Sequence, residues 1–222
     1  MSEQVLFERL AKGVIDGDLA AVETTAKEVI KANMSPAMAI QEGLSKGIKK
    51  VGEDFGNGIA FLPDLMMSAE AMQRGMQILV AEIKKRGGDA VKVFSAKAIL
   101  GTVAGDVHSI GKTLVGAMMT TAGIEVVDLG EDVPVEVFTR KATELKPDII
   151  GLSALLTTTM VQQREVIEAL KREGHREKFK VMIGGAPVDE AWAREIGADA
   201  YGTDAMDAVA KAKKFVVQKQ PS

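Results

Sequence analysis

The sequence predicts a helical domain followed by an α/β domain built on a doubly wound, five-stranded parallel sheet. Two observations predict this. Up to Gly87 the hydrophobic residues recur only at helical spacing, and beyond it short apolar runs alternate with helical patterns. Gly87-Gly88-Asp89 lies where the pattern changes and is the best linker candidate. We therefore expect a helical domain over residues 1–88 and an α/β domain over residues 89–222.

Four helices are predicted in the first domain. The first begins near Val5 and stops at Gly17-Asp18, and the others follow at 19–32, 36–55 and 63–86. Ser35-Pro36 opens the third helix, since Ser is a good N-cap and Pro suits the first helical position. Gly56-Asn57-Gly58 ends it, because Gly and Asn tolerate the left-handed conformation that closes many helices. Four helices in succession predict a small bundle.

Strands and helices alternate in the second domain. Apolar runs typical of buried strands occupy residues 98–103, 124–129, 148–153, 180–183 and 198–201. Helical patterns separate and follow them at 112–122, 134–145, 161–173, 187–196 and 204–217. Strictly alternating strands and helices favour a parallel sheet with right-handed crossovers, so the carboxyl ends of all five strands share one edge.

Composition excludes several classes of protein. The 222 residues are 46% hydrophobic and carry a net charge of −3, without a long basic run, so a nucleic-acid partner is not expected. Cysteine is absent, which excludes disulfides, thiolate metal sites and Cys-ligated iron–sulfur clusters. No apolar stretch reaches the ~20 residues of a membrane span, and the first residues lack the features of a signal peptide. We expect a soluble, cytoplasmic protein with no membrane partner.

The strongest functional signal is the pair Asp106 and His108, on the loop that leaves the first predicted strand. In open α/β sheets, ligands bind where strands end in this way. A neutral imidazole can bind a transition metal through one ring nitrogen, and a carboxylate two residues away can accept the N–H of the other. Gly105 and Gly111 flank the pair and would let the backbone approach a large ligand. The alternative is a loop histidine held by a local carboxylate.

Three more loops at the same predicted edge carry hydroxyls or glycines. Ser153 and the run 157–159 follow the third strand, Gly184-Gly185 the fourth, and Tyr201-Gly202 the fifth. Each has a simpler explanation by itself, as a helix cap or a tight turn. Together they predict the rim of a single ligand site.

A nucleotide hydrolase is a weaker interpretation of the same segment. Gly111-Lys112-Thr113 matches the end of a phosphate-binding loop, but the leading glycine of that motif is replaced by Asp106. A carboxylate there would repel phosphate. The second histidine, His175, stands among charged residues and is expected to be solvated.

Asp106-x-His108-x-x-Gly111, followed by Ser153-x-Leu155 and Gly184-Gly185, resembles the signature of cobalamin-binding domains. The order and spacing of the strands agree as well, so the resemblance to this Rossmann-like domain covers roughly residues 90–217. The preceding helices resemble the helical cap domain of the methyl-carrying branch. The chain is thus similar to corrinoid proteins of methyltransferase systems and to the cobalamin module of methionine synthase.

The resemblance implies a role for each matching residue. His108 would ligate cobalt in place of the cofactor's dimethylbenzimidazole base, and the freed nucleotide tail would thread into the sheet beside Gly184 and Gly185. Asp106 would accept the other imidazole N–H, with Thr159 in the position of the hydroxyl that continues this relay. The remaining cofactor contacts implied in the α/β domain are Val107, Ser109, Ile110, Gly111, Ser153, Leu155, Thr157, Tyr201 and Gly202. In the helical domain, Phe61, Leu62, Met66 and Met67 match the apolar region that shields the upper face of the cofactor.

The function implied is methyl transport on cobalamin in its methylcobalamin form. One partner would be a methyltransferase specific for a methylamine, methanol or a methoxylated aromatic compound. A second methyltransferase would pass the methyl group to tetrahydrofolate or a thiol, and a reductive activase would be a further partner. The chain would not be catalytic alone. Proton gain or loss at the Asp106–His108 pair would bias the redox and methylation state of cobalt.

Three other interpretations remain open. A carbon-skeleton mutase subunit shares the histidine motif, although the helical domain argues against it. A cobalamin sensor also combines helices with this sheet, but no helix-turn-helix or basic recognition helix is visible. The third is a cofactor-free binding module resembling a response regulator, which predicts no functional role for His108.

Overall fold

The computed structural model describes residues 2–86 and 94–218 of the chain. The chain divides into two compact units, of which the first contains the N-terminal helices and the second contains the sheet with its helices. The domain boundary expected after Gly88 lies outside the described residues and stays a prediction.

The described residues of the first unit form helices joined by short turns. These helices are α1 (Glu3–Ile15), α2 (Leu19–Lys31), α3 (Pro36–Met38), α4 (Ser45–Gly56) and α5 (Leu62–Lys85). Side chains cap two of these helices: Asp18 accepts a hydrogen bond of 2.9 Å from the Ala21 amide, and Ser35 accepts one of 3.3 Å from Met38. These caps satisfy amides that helical geometry leaves unpaired.

The third predicted helix is interrupted, which the hydrophobic spacing did not indicate. A π-helical segment, Ala39–Leu44, lies between α3 and α4. It packs closely on α1, since a Cβ added to Gly43 would come within 2.8 Å of the Leu10 Cβ. A π-helical segment widens the turn, and a 3.6-residue pattern cannot reveal such a change over so few residues.

Five parallel strands form the sheet of the second unit, as the sequence predicted. The strands are β1 (Ala96–Thr102), β2 (Ile124–Asp128), β3 (Ile149–Ser153), β4 (Lys180–Gly184) and β5 (Ala200–Gly202). Their order is β2-β1-β3-β4-β5, and every pairing is parallel. The strand order reverses beside β1, which is the switch point at which doubly wound folds bind ligands.

Five helices accompany the sheet: α6 (Ile110–Thr121), α7 (Val135–Leu145), α8 (Val161–Arg172), α9 (Glu190–Ile196) and α10 (Ala205–Gln218). The start of α9 differs from the prediction by three residues, 190 against 187. The reason is a cap: the Asp189 carboxylate accepts a hydrogen bond of 2.7 Å from the Trp192 amide, which fixes the helix start there.

The two faces of the sheet are used differently. Alternate strand residues such as Ile99, Ile150 and Val181 belong to a buried apolar core together with Phe138 and Leu170. Residues on the opposite face of these strands, towards their carboxyl ends, line a cavity that is described below. Within the described part of the chain, no helix is long and apolar enough to cross a membrane.

Candidate functional site

A cavity of about 880 Å³ opens at the carboxyl ends of β1, β3, β4 and β5. Its apolar wall is formed by the sheet residues Leu100 and Met182 and by the helix residues Leu114, Val115 and Met119. The strand loops line it as well, so it extends from exposed residues such as Ile110, which is 77% exposed, to almost fully buried ones. A cavity of this size and apolar character is typical of a cofactor site.

His108 lies at this cavity and is oriented by Asp106. The imidazole Nδ1 is 2.8 Å from Asp106 Oδ1, and the side chain is 49% exposed. A proton on Nδ1 is donated to the carboxylate, so the lone pair is on Nε2. Nε2 has no partner among the described residues, which leaves it available as a metal ligand.

The carboxylate of Asp106 is fully buried and surrounded by donors. Oδ1 also accepts the His108 backbone N–H at 3.1 Å, and Oδ2 accepts the Leu155 N–H at 2.7 Å and the Thr159 hydroxyl at 2.6 Å. Burial raises the pKa of Asp106, but the hydrogen bonds from Thr159, Leu155 and His108 outweigh it and hold the pKa well below its usual range. Asp106 is therefore a permanent anion at neutral pH.

Glycines on the loops leave space on the cavity side. A Cβ added to Gly111 would meet no atom within 4 Å, and one added to Gly184 would meet only the Gly202 carbonyl at 3.8 Å. Gly185 has a different reason: its φ is +130°, and a Cβ there would lie 1.6 Å from the Ala154 carbonyl oxygen. Gly185 thus lets two loops touch, whereas Gly111 and Gly184 keep the cavity open.

The structure brings most of the predicted site residues to this cavity. Those that line it are Val107, His108, Ser109, Ile110, Gly111, Ser153, Leu155, Gly184, Gly185, Tyr201 and Gly202. Asp106 and Thr159 lie buried behind His108 instead of on the lining. Thr157 is exposed on the turn after β3 and does not contact the cavity. Phe61, Leu62, Met66 and Met67 belong to the first unit, where Phe61 is 68% exposed.

Several lining residues were not predicted from the sequence. Met182, Leu114, Val115 and Met119 are core-like residues whose pattern says only that they face inward. Lys112 also lines the cavity, and its buried ammonium is paired with both carboxylate oxygens of Asp128. The sequence offered no signal for this pairing, which joins the first turn of α6 to the end of β2.

The donor set fits one kind of metal site. Among residues 2–86 and 94–218, no three His, Cys, Asp or Glu side chains come together to hold a metal ion. One imidazole with a fixed tautomer suits a metal whose other ligands are supplied by a macrocycle. The open space beside Gly111 and Gly184 leaves room for such a large group. The fold and the site define an α/β protein with a cavity of cofactor size, at which a single oriented imidazole lies.

Comparisons with known proteins give that cofactor. One model of a B12-binding domain matches residues 96–210, and a second matches residues 6–80. Dimethylamine corrinoid protein 1 of Methanosarcina mazei is 48% identical, covering 98% of this chain and 99% of the relative. The trimethylamine corrinoid protein of Methanosarcina barkeri is 42% identical, with 96% and 97% covered. The chain belongs to the B12-binding corrinoid proteins, and the cofactor that it binds is a corrinoid.

A solved structure agrees with this assignment. In the methanol:cobalamin methyltransferase complex MtaBC of Methanosarcina barkeri, one chain matches with a TM-score of 0.82 and 30% identity. The match covers 99% of this chain and 82% of that chain. The prediction of a cobalamin-binding protein with a helical unit and a five-stranded parallel sheet is confirmed.

Proposed function

We propose that this protein carries a methyl group on its corrinoid from a methylamine-specific methyltransferase to a second methyltransferase that uses tetrahydrofolate or a thiol as acceptor. The observation that carries the proposal is the Asp106–His108 pair at the cavity, with Nδ1 engaged at 2.8 Å and Nε2 available. A methylamine donor is favoured because relatives named for dimethylamine and trimethylamine are 48% and 42% identical, against 30% for the methanol complex.

Each residue of the site has a separate task in this proposal. When bound, the corrinoid would supply a cobalt ion that carries the methyl group and can be held by one imidazole of the protein. His108 provides the imidazole, and Asp106 holds its tautomer and ring orientation. Thr159 and the Leu155 amide keep Asp106 ionised, at 2.6 and 2.7 Å from Oδ2. The apolar cavity beside Gly184 receives the nucleotide tail of the cofactor.

The role of His108 is tested by the absorption spectrum of the protein loaded with hydroxocobalamin. His108→Ala should keep the corrinoid but lose the signature of histidine ligation. His175→Ala is the matched control, because it removes the chain's other histidine, which does not line the cavity. It should behave as the wild type. A His108→Ala spectrum identical to that of the wild type would refute the ligand role.

The tail cavity is tested with Gly184→Leu. The added side chain has open space in the apoprotein, so thermal stability should change little, but it would occupy the place of the tail. Affinity for cobalamin should fall by more than about tenfold, equivalent to roughly 1.4 kcal/mol. Affinity for cobinamide, which lacks the nucleotide tail, should not change. An equal loss for both ligands would place the tail elsewhere.

The carrier role is tested by reconstitution. Methyl transfer from a methylamine to the acceptor should need this protein and both methyltransferases, and omission of any one should abolish it. Methyl transfer by the loaded protein alone would contradict a carrier role. Transfer from methanol in place of methylamines would keep that role and overturn the assignment of the donor.

A further inference from the structure

The loop between β1 and α6, residues 103–109, carries Asp106 and His108, and we call it the His108 loop. Three hydrogen bonds join the backbone of this loop to Asp132 and Thr102. The Gly105 N–H donates to Asp132 Oδ1 at 2.6 Å, and the Asp106 carbonyl accepts the Asp132 N–H at 2.9 Å. The His108 carbonyl accepts the Thr102 hydroxyl at 2.9 Å. Asp132 therefore holds the middle of the loop, at Gly105 and Asp106, and Thr102 holds it near its end, at His108.

Asp132 adopts an unusual backbone conformation to make both contacts. Its φ is +49°, and the other described non-glycine residues with positive φ, Asn33 and Lys146, each follow the end of a helix. Asp132 instead lies between β2 and α7. A left-handed non-glycine residue is strained and persists where its surroundings require it. Here the conformation directs the Asp132 amide at the Asp106 carbonyl and the Asp132 carboxylate at the Gly105 N–H, on two adjacent residues of the His108 loop.

Both backbone hydrogen-bonding groups of Thr102 have partners. It ends β1 and is fully buried. Its N–H donates to the Gly130 carbonyl at 3.0 Å, and its carbonyl accepts the Val133 N–H at 2.9 Å. Because these two hydrogen bonds fix the backbone of Thr102, its hydroxyl is held in place to donate to the His108 carbonyl.

We propose that Asp132 and Thr102 are positioning residues that hold the His108 loop in the conformation in which the imidazole can ligate cobalt. Asp106 orients the ring, and these two residues orient the backbone from which Asp106 and His108 project. Without these contacts the loop would populate other conformations. Histidine ligation would then weaken in proportion to the fraction of molecules that leave the ligating conformation. This inference rests on the proposed ligand role of His108.

The test uses the full chain loaded with methylcobalamin. The ratio of histidine-ligated to unligated cofactor is read from the absorption spectrum, with His108→Ala as the fully unligated reference. Asp132→Gly keeps the left-handed backbone and removes the carboxylate, and it should lower the ratio by about tenfold. Asp132→Asn retains Oδ1 as an acceptor and should ligate as the wild type does.

One control variant and a pair of Thr102 variants complete the test. Lys146→Gly is the matched control, because it places glycine at another left-handed residue of the same unit, and it should leave the ratio unchanged. Thr102→Val keeps the shape of the buried side chain and loses the hydroxyl, so the ratio should fall severalfold, and Thr102→Ser should restore it. This pair also serves if Asp132→Gly does not fold.

The outcomes distinguish the positioning role of Asp132 and Thr102 from the ligand role of His108. Wild-type ratios in both Asp132→Gly and Thr102→Val, beside a His108→Ala protein without histidine ligation, would overturn the positioning role and keep the proposed function. A fall in Lys146→Gly as large as that in Asp132→Gly would also overturn it, since any added backbone freedom would then suffice. A wild-type spectrum that matches His108→Ala would refute the ligand role itself.

Discussion

Two carboxylates at opposite ends of the same sheet, one fully buried and the other 17% exposed, are stabilised in different ways. Asp199 stands at the amino end, before β5, and accepts hydrogen bonds from Arg176 at 2.7 Å, Lys180 at 2.9 Å and the Val181 amide at 2.8 Å. Asp106 stands at the carboxyl end, and its donors in the described chain are a hydroxyl, two amides and an imidazole. In both, burial raises the pKa, and hydrogen bonds outweigh it and lower the pKa.

The two carboxylates differ in the kind of partner that stabilises their negative charge. Asp199 is paired with the guanidinium of Arg176 and the ammonium of Lys180, so its ion-pair partners belong to the protein itself. Among the donors of Asp106 in the described chain, His108 alone has a side chain that can bind a metal ion. The amino end of the sheet thus stabilises the fold, whereas the carboxyl end leaves one partner free to respond to a ligand.

Asp106→Asn should have the largest effect on this comparison. An amide cannot accept from all four donors, and its NH₂ group would face the Leu155 N–H or the Thr159 hydroxyl. Histidine ligation should weaken by about 10- to 100-fold, as for other partners of metal-binding histidines. The apoprotein should lose about 1–3 kcal/mol of unfolding free energy, measured by chemical denaturation. Wild-type ligation in this variant would contradict the orienting role of Asp106.

Asp199→Asn should separate stability from ligation. The variant leaves Arg176 and Lys180 without their carboxylate, so the unfolding free energy at pH 7 should fall by about 1–3 kcal/mol. The absorption spectrum of the loaded protein should stay as in the wild type, because Asp199 lies at the other end of the sheet. A change in histidine ligation would contradict the division of roles between the two ends.

The stability that Asp199 contributes should depend on pH in a predictable direction. Its folded-state pKa is below the ordinary value of 3.8, so the folded protein releases this proton more readily than the unfolded chain. The contribution is complete above pH 3.8 and declines as the pH falls through the folded-state pKa. Denaturation of the wild type and Asp199→Asn from pH 7 downward should show two curves that converge in acid. Curves that stay parallel would exclude a shifted carboxyl group.

Local sequence spacing explains what could be predicted about this site. The Asp106–His108 pair was predictable because residues i and i+2 of an extended loop project to the same side, and their atoms lie 2.8 Å apart. The parallel pairing of the five strands followed from the alternation of strand and helix patterns. Asp132 and the Leu155 amide were not predictable, since their contacts bridge 27 and 49 residues and use backbone groups that carry no sequence signal. The π-helical segment was not predictable for a different reason, since its hydrophobic residues have the spacing of an ordinary α-helix.

Thr159→Val should have the smallest effect and should show how much of the Asp106 environment one hydroxyl supplies. Valine keeps the buried shape but removes the donor at 2.6 Å, so the pKa of Asp106 should rise towards its usual range. The other donors remain, and we expect a loss of about 1–2 kcal/mol in unfolding free energy and a few-fold weaker histidine ligation. Thr159→Ser keeps the hydroxyl and should restore ligation even where packing is lost. If serine and valine variants ligate equally, the hydroxyl only fills space, and the charge of Asp106 depends on the two amides and His108 alone.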